Sequence, residues 1–260
     1  MYFGIVGEKI AVNMPTKAAL LTCVAERLAR KEGFALATVN LDHLVKLRTS
    51  QQFRAAYCAQ DFVVADGHPI VWISRLAGQP VELMPGSDLI LPLAQVAATQ
   101  GVSIALIGSR PDALAGAKSY LEGEVPGLDV VLSIAPPMGF VPDSPEADAL
   151  LAEVAASGAG LCFVAMGAPK QEILSAAGRR VAPNVGFASI GAGLDFFAGT
   201  QHRAPEWVRD FALEWLWRAV GNPRRLGMRY LRCIGILPGQ LLNAVQQRLR
   251  SGDHTRHVHH

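Results

Sequence analysis

Polar side chains able to move protons or hold phosphate recur in this 260-residue chain directly after short apolar runs. "ATVNLDH" brings Thr38, Asn40, Asp42 and His43 to the end of one run, and "VVADGHP" brings Asp66, Gly67 and His68 to the end of another. "LIGSRP" ends at Gly108, and "AMGAPKQE" runs into Gly167, Pro169, Lys170, Gln171 and Glu172. An aspartate at such a point is a candidate general base. A glycine there lets backbone approach a ligand closely, and the free N–H groups of a following helix stabilise phosphate. Lys170, Gln171 and Glu172 are accordingly expected on the first turn of a helix, facing a ligand. Each stretch also has a plainer reading. Thr38, Asn40 and Asp42 can cap a helix, Asp66 can be a turn residue, and His43 and His68 can be polar loop residues. Glu172 can simply complement a helix dipole. A shared position at one sheet edge is what favours the ligand reading.

The elements that would position these residues are legible as alternation. Apolar runs "FALATVN", "DFVVAD", "VSIALIG", "LDVVLSI", "GLCFVAM" and "VGFASIG" are separated by helix-like segments such as "DHLVKLRTSQQFRAAYC", "GSDLILPLAQVAATQG" and "SPEADALLAEVAASG". That order predicts βαβ units: an α/β fold with a Rossmann-like parallel sheet and helices on both faces. In such sheets ligands bind beyond the carboxyl ends of the strands, where these polar stretches fall. Composition changes near Gly199, so residues 1–199 are expected to form one α/β domain. Residues 200–260 then form a helical, basic C-terminal appendage.

Half the residues are hydrophobic, fewer than a fifth are charged, and the formal net charge is +2, which argues for an extensive core and against disorder. The charge is unevenly spread, since no aspartate or glutamate lies between Trp215 and Arg250. Cys23, Cys58, Cys162 and Cys233 lack C-x-x-C or zinc spacing and read as structural thiols of a reducing compartment. The start carries no signal-peptide pattern, and no run approaches the ~20 apolar residues of a membrane span, so a cytosolic location is expected. A phosphate-binding G-x-x-x-x-G-K-[ST] loop is absent, and "GAGLDF" lacks the acidic ribose position of a dinucleotide fingerprint. No D-x-D or clustered His/Cys set offers a metal site, and no cofactor is expected. The terminal "HTRHVHH" reads as a tail.

Taken together, the motifs resemble the WecG/TagA/CpsF family of bacterial glycosyltransferases. The carriers are "TVNLDH", "ADG" followed by "PIVW", "GSD", "GAPKQE", "IGAGLDFFAGT", "RAPEW", "LEWLWR", "PRR" and "RY", in order from residue 38 to residue 230. The resemblance implies an inverting, metal-independent transfer of a hexose or N-acetylhexosamine-type sugar. The donor it implies is a UDP-sugar, which would make residues 1–199 the catalytic nucleotide-sugar-binding domain, and the acceptor it implies is a polyprenyl-diphosphate-linked saccharide at the inner face of the cell membrane in surface polysaccharide synthesis. By position, Asp66 matches the family's proposed catalytic base and Thr38 a threonine beside it. Gly108, Gly167, Lys170, Gln171 and Glu172 match the lining of the nucleotide-sugar pocket, with Asp195 on a neighbouring loop. Asn40 and His43, within "TVNLDH", join the expected substrate-binding set. Many relatives carry an arginine just before "GSD", whereas this chain reads "ELMPGSD" with Leu83 near that place.

The chemistry follows separately. Inversion needs a group to accept the acceptor hydroxyl's proton, which suits Asp66; a free aspartate, with a pKa of about 3.9, is a weak base, and partial burial in a closed pocket would raise it. The leaving diphosphate needs positive potential, supplied by helix N-termini, Lys170 and the arginines beyond Gly199, including Arg203, Arg218 and Arg224. "PEWVRDFALEWLWRAV" predicts a helix from Pro205 to Val220. After it, arginines mixed with leucine, methionine and tyrosine suit an anionic membrane surface and a cover over the pocket. A homo-oligomer interface is the alternative use of that segment, and nucleic acid is not an expected partner because no reading motif is present. The competing function class is a non-catalytic nucleotide-binding module with a basic partner-binding tail.

Overall fold

The computed structural model describes residues 1–194 and 223–256. Two short strands, β1 (Tyr2–Ile5) and β2 (Glu8–Ala11), form an antiparallel hairpin ahead of helix α1 (Lys17–Ala29). The sheet strands and helices then alternate: β3 (Phe34–Val39), α2 (Leu41–Thr49), α3 (Gln51–Cys58), β4 (Phe62–Ala65), α4 (His68–Leu76), α5 (Gly86–Thr99) and β5 (Ile104–Gly108). They continue with α6 (Pro111–Glu124), β6 (Val130–Ile134), α7 (Pro145–Ala156), β7 (Leu161–Ala165), α8 (Lys170–Val181) and β8 (Gly186–Ser189). A long helix, α9 (Pro223–Arg256), closes the described chain.

The main sheet has the order β4-β3-β8-β7-β5-β6 and every pairing is parallel. The expected α/β class with a parallel sheet is thus what the chain forms. β3, β4, β5, β7 and β8 are buried at every position, because helices cover both faces, and this is why they read as continuous apolar runs. Alternate residues serve opposite sides. Leu36, Val64, Leu106 and Phe163 pack with α1, α5 and α6 through Leu20, Val24, Leu89, Leu93 and Leu114. On the other side, Val39, Val63 and Ala65 pack with the hairpin and with α2 to α4, while Val164 and Phe187 meet α7 and α8.

One expected helical segment divides. Ser50 ends α2 and its side chain accepts from the Phe53 N–H, which caps α3 and turns the chain between the two. α9 buries Cys233, Ile236, Gln240, Ala244 and Gln247, at intervals of three and four residues that mark one helix face. That face docks on α2, α4 and β1. Gln247 also occupies the backbone of β1, donating to Tyr2 O at 2.7 Å and accepting from Tyr2 N at 3.2 Å. Among the described residues, no helix is long and apolar enough to cross a membrane. The expected domain boundary near Gly199 and the expected helix from Pro205 to Val220 lie outside the described residues.

Candidate active site

Parallel register brings the two acidic and amide candidates together. Val39 is paired with Ala65, so the next residues along each strand, Asn40 and Asp66, emerge side by side at the carboxyl edge. Asn40 Nδ2 donates to Asp66 Oδ2 at 3.0 Å while Asn40 Oδ1 accepts from the His43 N–H at 3.0 Å. Asn40 therefore caps α2 and orients the Asp66 carboxylate with one side chain, so the capping and ligand readings of this residue are compatible. Asp66 is half-buried, and its own N–H donates to Val39 O at 2.8 Å. Gly67 follows with φ of 92°, a left-handed turn that directs the chain into α4.

The chain passes from β3 outward to β4, then crosses to β5 on the far side, leaving β8 and β7 to fill the gap last. The crevice where strand order reverses is the expected ligand location, and Asn40 and Asp66 stand on its edge. Across it, Gly108 is paired with Ala165, and Gly167, Ala168 and cis-Pro169 lead into α8. Leu83, near the place where the resemblance leads one to expect an arginine, forms a bridge with Ala65 and packs among apolar neighbours, placing a hydrocarbon beside the Asp66 strand.

Three side chains expected to face a ligand turn inward instead. The His43 ring is buried against Phe53 and Tyr57. With the proton on Nδ1, both His43 (2.9 Å) and the Tyr57 hydroxyl (2.7 Å) donate to Thr38 O, which clamps the end of β3. Glu172 and Gln171 are buried on the first turn of α8. Gln171 Nε2 donates to Glu172 Oε1 at 2.8 Å, and Gln171 Oε1 accepts from the Gly191 N–H at 3.0 Å, tying α8 to the loop after β8. They face inward because α8 packs flat on the sheet, and residues two and three of its first turn fall on the packed side. Lys170 alone of that trio is exposed, with Nζ donating to Phe140 O at 2.8 Å. Thr38 is 4% exposed, one residue short of the strand end. Asp195, Arg203 and Arg218 lie outside the described residues, and Arg224 lies on the first turn of α9.

Charged contacts not foreseen from the sequence join this layer to α9. Asp42 Oδ1 lies 3.0 Å from Arg229 Nε and Oδ2 lies 2.8 Å from Lys46 Nζ, which also donates to Ala168 O at 3.2 Å. The i,i+4 spacing of Asp42 and Lys46 was readable as a helix pair; the partner on α9 was not. Among the described residues no three His, Cys, Asp or Glu side chains converge in a way that could hold a metal ion.

Two buried groups in this layer have opposed pH dependences. Burial lifts the Glu172 carboxyl from 4.5 to about 7, and burial, reinforced by the Lys46 charge, lowers the His43 imidazole from 6.5 to about 4. Between those Glu172 values the folded chain holds a proton that the unfolded chain has lost, so its contribution declines as pH rises and is gone above about 7. The His43 contribution is present above 6.5 and is lost as pH falls through about 4. The slopes cancel where the windows overlap. Glu172→Gln should therefore unmask a stability that rises from pH 4.5 to 6.5. Relative to the parent, the variant should gain about 3 kcal/mol between pH 5 and pH 8 in urea melts. A pH-independent difference between the two proteins would show that Glu172 is not held neutral.

Comparison with known protein families gives one result of direct bearing: the model described as "Glycosyl transferase WecG/TagA/CpsF family" matches residues 6–253.

Proposed function

This chain belongs to the WecG/TagA/CpsF family of glycosyl transferases, and from that premise we propose that it moves a hexose or N-acetylhexosamine-type sugar from a UDP-sugar to a polyprenyl-diphosphate-linked saccharide. The supporting observation is the half-buried Asp66 carboxylate, oriented by Asn40 at the switch point of a parallel sheet. In the proposed reaction an acceptor hydroxyl attacks the anomeric carbon from the face opposite UDP. Asp66 accepts the hydroxyl proton as the new C–O bond forms, while the bond to the UDP oxygen breaks. Asn40 holds the carboxylate by one of its oxygens and so fixes the orientation in which it meets the hydroxyl. Thr38, Gly108, Gly167 and Lys170 form the proposed surroundings of the donor. His43, Gln171 and Glu172 act on them from behind, by fixing strand and helix ends. Positive potential at the departing diphosphate comes from the N-terminus of α8, from Lys170 and from arginines of the C-terminal segment, Arg203, Arg218 and Arg224 among them. The reaction so drawn needs no metal.

The test is mass spectrometry of a synthetic polyprenyl-diphosphate sugar incubated with a panel of UDP-sugars, with excess chelator in a parallel series. One donor should yield an acceptor heavier by one sugar, with equal yield in chelator. Absence of transfer from every UDP-sugar, with UDP still bound, would support the non-catalytic nucleotide-binding alternative. Chelator loss restored only by magnesium or manganese would defeat metal independence.

Attachment to the inner membrane face is part of the same proposal. α9 exposes Leu231, Ile234, Leu242 and Leu249, each more than half accessible, beside Arg232, Arg248 and Arg250. An exposed apolar stripe flanked by arginines, on a segment without acidic residues as far as Arg250, fits an anionic bilayer. Arg229 is engaged with Asp42, so Arg248 and Arg250 are the cleaner probes. Replacing both with glutamine should weaken binding to phosphatidylglycerol vesicles by about 1 kcal/mol each, and raised salt should mimic the replacement in the parent. Equal vesicle binding by parent and variant would favour a homo-oligomeric use of this face.

A further inference from the structure

Beside the strand-end layer, a cleft of about 270 Å³ opens between α2 and α9, lined by Asp42, Val45, Lys46, Met228, Arg229 and Arg232. Three cations face one carboxylate there. Asp42 is mostly buried and gives one oxygen to Lys46 and the other to Arg229. Two like charges that would otherwise repel are thereby held at the rim of one recess. Arg232 follows Arg229 at i+3 on α9, on the same helix side, and has no ion-pair partner among the described residues. Val45 and Met228 supply apolar wall, and the exposed Leu231 and Ile234 continue that character along α9. The site thus matches an amphiphile whose head carries adjacent negative charges and whose tail is hydrocarbon.

We propose that this cleft binds the diphosphate of the lipid-linked acceptor, an assignment that rests on the transferase reading above. Its position agrees with that role. Lys46 lies six residues beyond Asn40 on α2, about 9 Å of helix rise, which separates an anion in the cleft from the Asn40–Asp66 pair by a sugar-sized gap. A single phosphate at a bilayer surface needs no recess, whereas converging cations match the paired charges of a diphosphate. Asp42 has a positioning role in this site: it sets the spacing of Lys46 and Arg229.

The experiment is calorimetric titration of the full chain with farnesyl diphosphate at fixed ionic strength, with farnesol and inorganic pyrophosphate as separate titrants. Farnesyl diphosphate should bind more tightly than either, and Arg232→Gln should weaken it about ten-fold. Arg232→Lys should recover part of the loss. Arg248→Gln removes the same charge from the same helix outside the cleft and should leave the affinity unchanged. Equal binding by parent and Arg232→Gln, or equal losses in Arg232→Gln and Arg248→Gln, overturns the assignment. So does a selective loss of phosphatidylglycerol-vesicle binding in Arg232→Gln with farnesyl diphosphate affinity intact, which would assign the cleft to bilayer headgroups. Binding is read without turnover. Failure to find any UDP-sugar donor would therefore strike the transferase reading alone, while loss of the diphosphate effect with turnover intact would strike this site alone.

Discussion

Asp66→Asn is expected to lower the rate of sugar transfer by about two to four orders of magnitude while leaving the fold and UDP binding in place. The amide occupies the same volume and can turn its oxygen toward Asn40 Nδ2, so the hydrogen bond now made at 3.0 Å survives. What disappears is the ability to take a proton from the incoming hydroxyl. The loss should therefore fall on kcat, with the KM for the donor nearly constant, because the hydroxyl proton moves only in the transition state. Asn40→Ala is a useful companion. It removes both the cap of α2 and the bond that orients Asp66, so it should cost about 1 kcal/mol of stability and part of kcat. Near-normal turnover in Asp66→Asn would remove this residue from the role of base. A collapse of thermal stability in the same variant would show that its contribution is to the fold.

The largest expected effect on stability comes from Gly108→Ala. Gly108 closes β5 with φ of 103°, and a Cβ there would lie 2.4 Å from the carbonyl oxygen of Ala165 on the neighbouring strand. That oxygen is backbone in the middle of the sheet and accepts from the Ser109 N–H at 3.1 Å, so it cannot retreat without breaking the pairing. Backbone strain and overlap act together, and a cost of about 2–4 kcal/mol is expected. For a chain of this size that is a fall of roughly 10 °C in Tm. Gly123→Ala on α6 meets nothing within 4 Å and should be neutral or stabilising by about 0.5 kcal/mol. Equal melting of the two variants would show that β5 and β7 can separate at their ends at little cost. Because Gly108 also borders the crevice, surviving Gly108→Ala protein should bind donor poorly.

The described sheet strands were legible because each is an apolar run that ends in a turn or a polar cluster, five of them buried throughout as parallel strands covered on both faces require, and the edge strand β6 only in part. The β1–β2 hairpin was not, since four-residue strands carrying Glu8 and Lys9 offer no comparable run. The division of residues 42 to 58 at Ser50 was hidden because leucine, alanine and arginine are good helix formers on both sides of it. At the site, strand ends revealed Asn40 and Asp66, but not which neighbours face inward. Position along a helix start is readable; the side on which the sheet lies must come from packing, and this separates exposed Lys170 from buried Gln171 and Glu172. The Arg229–Asp42 pair joins residues far apart in sequence, and spacing rules that operate over three or four residues cannot find it.

The place of β8 has a consequence for the order in which the chain acquires its structure. Among the described residues it is the last sheet strand to be synthesised, yet it stands between β3 and β7, with Phe34 beside Gly186 on one side and Leu161 beside Gly186 on the other. Until residues 186 to 189 leave the ribosome, the β3–β4 pair that carries Asp66 and the β7-β5-β6 group that carries Gly108 have no strand to join them. Early local pairing can build each part, but their union waits for a contact of very long sequence separation, which is a slow step. A nascent chain halted before Gly186 should thus display two unpaired strand edges and no crevice, and be correspondingly dependent on chaperones. The two halves of the site become one only when the seam between them is filled.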